Sequence, residues 1–245
     1  MRDAAIRTTA LSKTYGAVEA LKQLDLTVET GEIFGLIGHN GAGKTTTVNL
    51  LTTLIAPTGG TAQINGVDMA ADPDEVRRGI GYLPENVQFY DNLTTLENLR
   101  FFGRLSGLRK PDARIAEVLD YLRFTGHEHE RLGGFSKGMR QRVGIAQAIL
   151  HEPRTLFLDE PTSGLDPQGV RTLREIIIGL NRDLGMTVFM NTHLLSEVTR
   201  TCTSIGILRQ GTLAYQASLA ATLQAFPGQA SLEDIYLELE SARVR

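Results

Sequence analysis

The chain has 245 residues, 42% of them hydrophobic and 22% charged, with a formal net charge of −3. That is long enough to bury a substantial core, and the slightly acidic balance gives no reason to expect a nucleic-acid partner. A single cysteine, Cys202, excludes an intramolecular disulfide and fits a reducing compartment.

The opening MRDAAIRTTALSK lacks the apolar stretch of a secretory signal. No apolar run approaches the roughly 18–20 residues that cross a bilayer, and LTTLIA (51–56) and EIIIGL (175–180) suit a core. The chain is therefore expected to be soluble, with any membrane role arising through a partner.

In chain order, the first third reads as short strands at 5–11, 23–29, 33–38, 61–67 and 79–84, separated by Gly, Pro and Asn turns. One helix pattern, KTTTVNLLTTL (44–54), lies between the third and fourth. From Thr94 to Phe124 the pattern is helical: Leu96, Leu99, Phe102 and Leu105 recur every three residues. Pro111–Asp112 then opens a second helix carrying Ile115, Val118, Leu119 and Leu122.

Alternation follows, with TLFLD (155–159), a helix near 168–184, TVFMN (187–191), a helix near 194–202 and SIGIL (204–208). Strands alternating with helices imply an α/β fold, a mainly parallel sheet flanked by helices. The expected organisation is a core at 1–86 and 152–220, interrupted by a helical insertion at about 87–151. A short helical extension occupies 221–245, where Ser231 and Asp234 are placed as a capping box.

GHNGAGKT (38–45) fits G-x-x-x-x-G-K-[ST], with an apolar strand before it and a helix after it. Gly38, Gly41 and Gly43 let the backbone turn tightly and aim N–H groups at a polyphosphate, aided by the positive end of the helix dipole. Lys44 supplies a cation to β/γ-phosphates and the Thr45 hydroxyl can reach Mg²⁺. The cofactor-binding set assigned here is Gly38, Asn40, Gly41, Gly43, Lys44, Thr45 and Thr46.

TLFLDEP (155–161) places a carboxylate at the C-terminal edge of a parallel sheet, where such folds bind ligands. Asp159 would hold the metal and Glu160 would orient or deprotonate the attacking water. A guanine-reading N-K-x-D motif is absent from the sequence. HEHE (127–130) reads as a solvated loop.

FSKGMRQ (135–141), shortly before the Asp–Glu strand, resembles the signature of the ABC (ATP-binding cassette) ATPases. SGLD (163–166) looks like their D-loop, and His193 in NTH like their switch histidine. Tyr15 matches the aromatic on which adenine stacks. The resemblance covers roughly residues 5–220 and implies a P-loop NTPase core with an N-terminal antiparallel β part. On that resemblance, Ser136, Gly138, Asp166 and Tyr15 join the ATP-binding set, and His193 senses the γ-phosphate. Tyr15 also suits a turn, and His193 a helix cap. Asp166 ahead of Pro167 suits an N-cap as well as the D-loop role.

Two positions depart from the family pattern. Glu85 in GYLPENVQ stands where the family's Q-loop has Gln, adding a carboxylate beside the metal, so Glu85 joins the catalytic and metal sets with Glu160, His193, Thr45 and Asp159. Lys137 stands where the signature has Gly; a cation there aids phosphate attraction or faces solvent. The LPE form and SKGM together resemble the ATPases of bacterial drug-, lipid- and polysaccharide-exporting systems.

The resemblance implies two ATPase subunits, this chain with a second copy (a homodimer) or with a homologue, pairing head to tail around ATP and Mg²⁺ and driving membrane-spanning permease subunits from the cytoplasmic face. Ser136 would cap a helix whose Met139, Val143, Ala146 and Ile149 face the core, leaving an anion site for the γ-phosphate held by the other copy's Lys44. The alternative is a soluble ABC ATPase powering a non-transport process such as cofactor assembly.

Overall fold

The computed structural model describes residues 3–226 and 231–241. Along the chain, β1 (Ala4–Tyr15), β2 (Val18–Glu29) and β3 (Ile33–Ile37) lead into α1 (Lys44–Leu51). Next come β4 (Gly59–Ile64), β5 (Val67–Asp68), α2 (Pro73–Gly79) and β6 (Ile80–Leu83). Three helices follow, α3 (Thr95–Leu105), α4 (Asp112–Tyr121) and α5 (Lys137–Ile149). The chain continues through β7 (Thr155–Asp159), α6 (Pro167–Leu184), β8 (Thr187–Thr192), α7 (Leu195–Thr201) and β9 (Ser204–Arg209). It ends with β10 (Thr212–Ser218), α8 (Leu219–Ala225) and α9 (Leu232–Ser241).

Two sheets result. One is antiparallel, in the order β2-β1-β4-β5; the other runs β10-β9-β3-β8-β7-β6, parallel except for β10. Side chains of a strand alternate between faces, and in the parallel sheet both faces are covered. Phe34, Phe157 and Phe189 point to one face, where they pack in a row at 5.3 and 5.5 Å and meet the antiparallel sheet and α1. Ile33, Ile37, Leu156, Leu158, Val188 and Met190 point to the other, against α4, α5 and α6. Gly35 leaves room on that face for Cys202, whose burial pushes its thiol up to about 12.

Four local readings change. β1 and β2 outrun the apolar stretches at 5–11 and 23–29, because Ala10 and Gln23 take positive φ at bulges and pairing resumes beyond them. Residues 73–79 are helical, started by Asp72, which accepts a hydrogen bond from the Glu75 N–H at 2.9 Å, with Pro73 in the first turn. α1 stops at Leu51, before the expected Leu54, with Thr53 at positive φ. Leu105 is 70% exposed while Leu99 is buried. A strict three-residue spacing turns about 60° per step around a helix, so Leu105 lands opposite Leu96.

The chain after Leu208 carries β10 and α8, which no apolar pattern announced. At the start of α9, Asp234 N–H donates to Ser231 Oγ at 3.2 Å, while the Asp234 carboxylate accepts from the Ser231 hydroxyl. This is half of the expected box. Residues 1–2, 227–230 and 242–245, parts of the expected core and extension, lie outside the described residues.

Candidate nucleotide site

β3, β8 and β7 are adjacent and parallel, so their C-terminal ends share one edge of the sheet. The register sets Ile37 beside Thr192 and Asp159 beside Asn191. The glycine loop leaves β3 at Gly38, the Asp159–Glu160 pair ends β7, and His193 follows β8. Residues more than 150 positions apart thus meet at the crevice where doubly wound sheets hold ligands.

The glycines of the loop serve different ends. A Cβ at Gly38 would lie 2.4 Å from the Leu208 carbonyl oxygen, so close backbone approach is the requirement there. Gly43 has φ 107, and a Cβ would lie 2.6 Å from Ala20 O, so conformation and space both demand glycine. Gly43 is also the N-cap of α1 and makes no side-chain cap bond, which leaves first-turn N–H groups for an anion. Lys44 is buried and its ammonium donates to Gly38 O at 2.7 Å and His39 O at 3.2 Å. Thr45 and Asn40 are exposed at the loop surface, and Thr46 is half-buried.

Electrostatics tie the pieces together. Burial lowers the Lys44 pKa from its ordinary value, and the carboxylates of Glu160 and Asp159 oppose that shift. Asp159 moves the other way: burial raises it, Asn191 holds it down, and Glu160 and Glu85 push it up again. Tyr82 is pushed up to about 12 by burial and by Asp159.

No sequence motif singles out Asn191. It is fully buried; its Nδ2 donates to Asp159 Oδ1 at 2.7 Å, and its Oδ1 accepts the Glu160 N–H at 3.1 Å. Glu160 itself has φ 46, a conformation that costs a side-chain-bearing residue energy and is held here by that bracket. Its Oε2 lies 2.9 Å from His193 Nδ1. The available signal is a polar residue directly after the apolar run Val188–Met190, still within the buried strand.

Other expected residues fall on two further surfaces. Tyr15 is half exposed at the end of β1, with Lys13 Nζ 5.2 Å from its ring centroid. The start of the paired strand β2, at Ala20, touches Gly43. Ser136 caps α5, accepting from the Met139 N–H at 3.3 Å; Val143, Ala146 and Ile149 are buried and Met139 packs on the core. Asp166 caps α6 through the Gly169 N–H at 2.6 Å, ahead of Pro167. Leu194 N–H is taken by Thr192 Oγ1, so His193 is not the cap of α7. His127 pairs with Glu130 at 3.1 Å and stacks on Phe124.

Ser136, Lys137 and Gly138 line a concavity of about 460 Å³ whose remaining wall comes from residues between Met139 and Leu173. None of residues 38–46 lines it. Glu85 lies on the loop after β6, and its carbonyl accepts from Gln141 Nε2 at 3.3 Å. The buried Gln141 of α5 therefore clamps that loop to the signature helix.

The donors Thr45, Asp159 and Glu85 are all oxygens, which suit Mg²⁺, an ion that keeps waters and shares substrate phosphates. The raised pKa of Asp159 marks an electrostatic burden that a divalent cation would relieve.

A strand, a glycine loop and a helix, beside a strand-end carboxylate in a mainly parallel sheet, define a P-loop nucleoside triphosphatase. A family model described as ABC transporter matches residues 21–163. The bacitracin transport ATP-binding protein BcrA of Bacillus licheniformis is 42% identical over 208 residues, 85% of this chain and 68% of that protein. A solved ATP-binding subunit of an ABC transporter superposes with TM-score 0.85 at 34% identity, covering 96% of this chain and 99% of that one. The dimeric post-hydrolysis cassette MJ0796, bound to ADP and Pi, gives TM-score 0.79 at 27% identity over 87% and 98% of the two chains.

The chain belongs to the ABC transporter family and is an ATP-binding subunit, an ATPase. Among the described residues no helix is long and apolar enough to cross a membrane.

Proposed function

We propose that this subunit pairs head to tail with a second copy around ATP, hydrolyses it, and drives export through a separate membrane-spanning partner from the cytoplasmic face. The observation that carries the pairing is the split site. The anion-receptive start of α5 opens on a concavity without a wall from the phosphate loop, so its ligand comes from another copy. The MJ0796 cassette, solved as a dimer with ADP and Pi, supports that arrangement.

Within one copy, residues 38–46 and Lys44 take the β/γ-phosphates, and Tyr15 stacks on adenine. Thr45, Asp159 and Glu85 would hold Mg²⁺, and the ion would supply positive charge to offset that of the phosphates. Glu160 accepts the proton of the attacking water, the γ-phosphorus–oxygen bond breaks, and ADP and phosphate leave. His193 orients Glu160 and meets the γ-phosphate. From the second copy, Ser136 and Gly138 supply donors to the same phosphate, with Asp166 beside them.

The working unit in this reading is residues 1–220 with the helical insertion at about 87–151. Exposed Tyr90, Phe101 and Leu105, on and beside α3, form an apolar patch next to the Glu85 loop that suits a membrane partner. Export rests on the Glu85 and SKGM forms and on likeness to BcrA, a bacitracin transport protein.

Glu160→Gln should bind ATP and accumulate as a closed dimer with negligible turnover. Light scattering on a sizing column, run beside a phosphate-release assay, tests this. A variant that stays monomeric with ATP and still turns over would refute the reading.

A further inference from the structure

Turns between hairpin strands usually sit in solvent, but the tip of the one between β9 and β10 does not. Its two residues, Gln210 and Gly211, have φ 47 and 81, the paired positive values of a tight two-residue hairpin turn. Gln210 is exposed, whereas Gly211 is buried. What covers it is the nucleotide site. The Gly211 N–H donates to Ala42 O in the phosphate loop at 2.9 Å, and Gly211 O accepts from the Lys22 N–H of β2 at 2.7 Å.

Three backbones converge there. A Cβ at Gly43 would lie 2.6 Å from Ala20 O, and one at Gly211 would lie 2.9 Å from the same oxygen. The Gly43 Cβ position is also 3.7 Å from Gly211 Cα and 3.3 Å from Leu208 Cδ2. The phosphate loop, β2 and the β9–β10 turn thus pack around one carbonyl. The Ala42–Gly43 peptide is trans, so its N–H points away from the bond that Gly211 makes to its carbonyl. That Gly43 N–H has no acceptor among the described residues. Gly211 therefore aims a free donor of the loop by holding the same peptide from behind.

The other bond leads to the base. β2 is the second strand of the hairpin that carries Tyr15, which stands opposite Val18 in register. Tyr15 and Val18 are both exposed at the hairpin tip, and Ala20 and Lys22 follow on the same strand. A nucleotide that stacks on Tyr15 and reaches into the phosphate loop spans two separate pieces of chain. Its affinity gains when the distance between them is set before it arrives.

We propose that Gly211 is a positioning residue for the nucleotide, tying the Tyr15 hairpin to the phosphate loop and so setting the span between adenine and phosphates. This rests on the adenine-stacking role given to Tyr15 above. Its signature is the advantage that adenine confers, read as the ratio of the dissociation constants for pyrophosphate and ADP.

The test is isothermal titration calorimetry with Mg-ADP and with Mg-pyrophosphate on the full chain, on Tyr15→Ala and on Gly211→Ala. Each is run at a temperature where circular dichroism shows the protein folded. Tyr15→Ala should cut the ADP advantage at least about fivefold, the low end of a base-stacking contact. Gly211→Ala, whose Cβ displaces Ala20 O, should cut it about fivefold, the worth of one hydrogen bond. A glycine with a purely structural role would lower the melting temperature and leave the ratio at the parent's value, and that result would overturn the proposal. If Tyr15→Ala keeps the parent's ratio, the adenine reading falls and this proposal with it. Should Gly211→Ala not fold, amide hydrogen exchange on the unmodified chain decides. Coupling is reciprocal, so ADP should slow exchange at Lys22 and Gly211 about fivefold more than saturating pyrophosphate does. Equal protection by the two ligands would overturn the role of Gly211.

Discussion

Asn191 offers the sharpest test of how the site is held. Replacing it with alanine removes the bond from Nδ2 to Asp159 Oδ1 at 2.7 Å and the bond from the Glu160 N–H to Oδ1. The first is charge-assisted and worth about 1.5–3 kcal/mol, and the second about 1 kcal/mol. The loss of the second is partial, since the Glu160 N–H also reaches the Asn191 main-chain oxygen at 3.1 Å. The nucleotide-free chain should therefore lose about 3 kcal/mol. At about 2–4 °C per kcal/mol for a chain of this size, the melting temperature falls by about 6–12 °C.

Activity should suffer as well. Glu160 sits at φ 46 and would relax once the side-chain part of its bracket is gone, and an ångström of misplacement costs about 10²-fold in turnover. Nucleotide affinity should change far less, because Lys44 and the glycine loop are untouched. Asn191→Asp puts a second carboxylate against Asp159. It should be destabilised more at pH 8 than at pH 4, where both groups take up protons. Thermal melts across that range, phosphate release and a nucleotide titration cover these points. An Asn191→Ala protein that melts and turns over like the parent would refute the reasoning.

Asp159→Asn should raise the melting temperature of the nucleotide-free protein while abolishing turnover, because it removes a buried charge whose folded pKa is raised. For a carboxyl with a raised pKa the cost is absent below its unfolded value and complete above its folded one. The gain should therefore be visible at pH 8 and shrink towards pH 4 in parallel melts. Gly43→Ala should lose nucleotide binding and stability, since its Cβ meets Ala20 O at 2.6 Å and its φ is 107. Gly41→Ala, with open space at φ 83, should show only backbone strain of about 1–2 kcal/mol, so equal melting curves for the two variants would contradict this account. Arg174 donates to both oxygens of Glu197, which is buried, and so joins α6 to α7 just after His193. Arg174→Ala should cost roughly 3 kcal/mol by leaving that carboxylate uncompensated, and Glu197→Gln added to it should restore much of the loss in denaturant melts.

Much of the site was legible because its chemistry is local in sequence. Gly38 to Thr45 must be contiguous, since one turn and one helix start present the N–H groups, and Asp159–Glu160 must close an apolar strand. Buried parallel strands also announce themselves as unbroken apolar runs, as TLFLD and TVFMN do. The hidden parts lacked such signals. β10 is half exposed and reads as no clear run, and the bulges at Ala10 and Gln23 depend on pairing with a partner strand. The spacing of Leu96 to Leu105 resembled a buried stripe but drifts round the helix, and its last member joins an exposed patch.

The sequence alone determined the class of chemistry: a phosphate loop, a strand-end acid pair and a signature that caps a helix, with no apolar run as long as a membrane-spanning helix. Tertiary structure decided which groups act on one another. Only the β3-β8-β7 order sets Asn191 beside Asp159 and bends Glu160 towards His193, because strand pairing fixes register between residues far apart in the chain. Only packing distinguishes the three cations of GGFSKGMRQR, as Asp91 and Phe124 claim Arg140 and Arg142 and leave Lys137 facing outward.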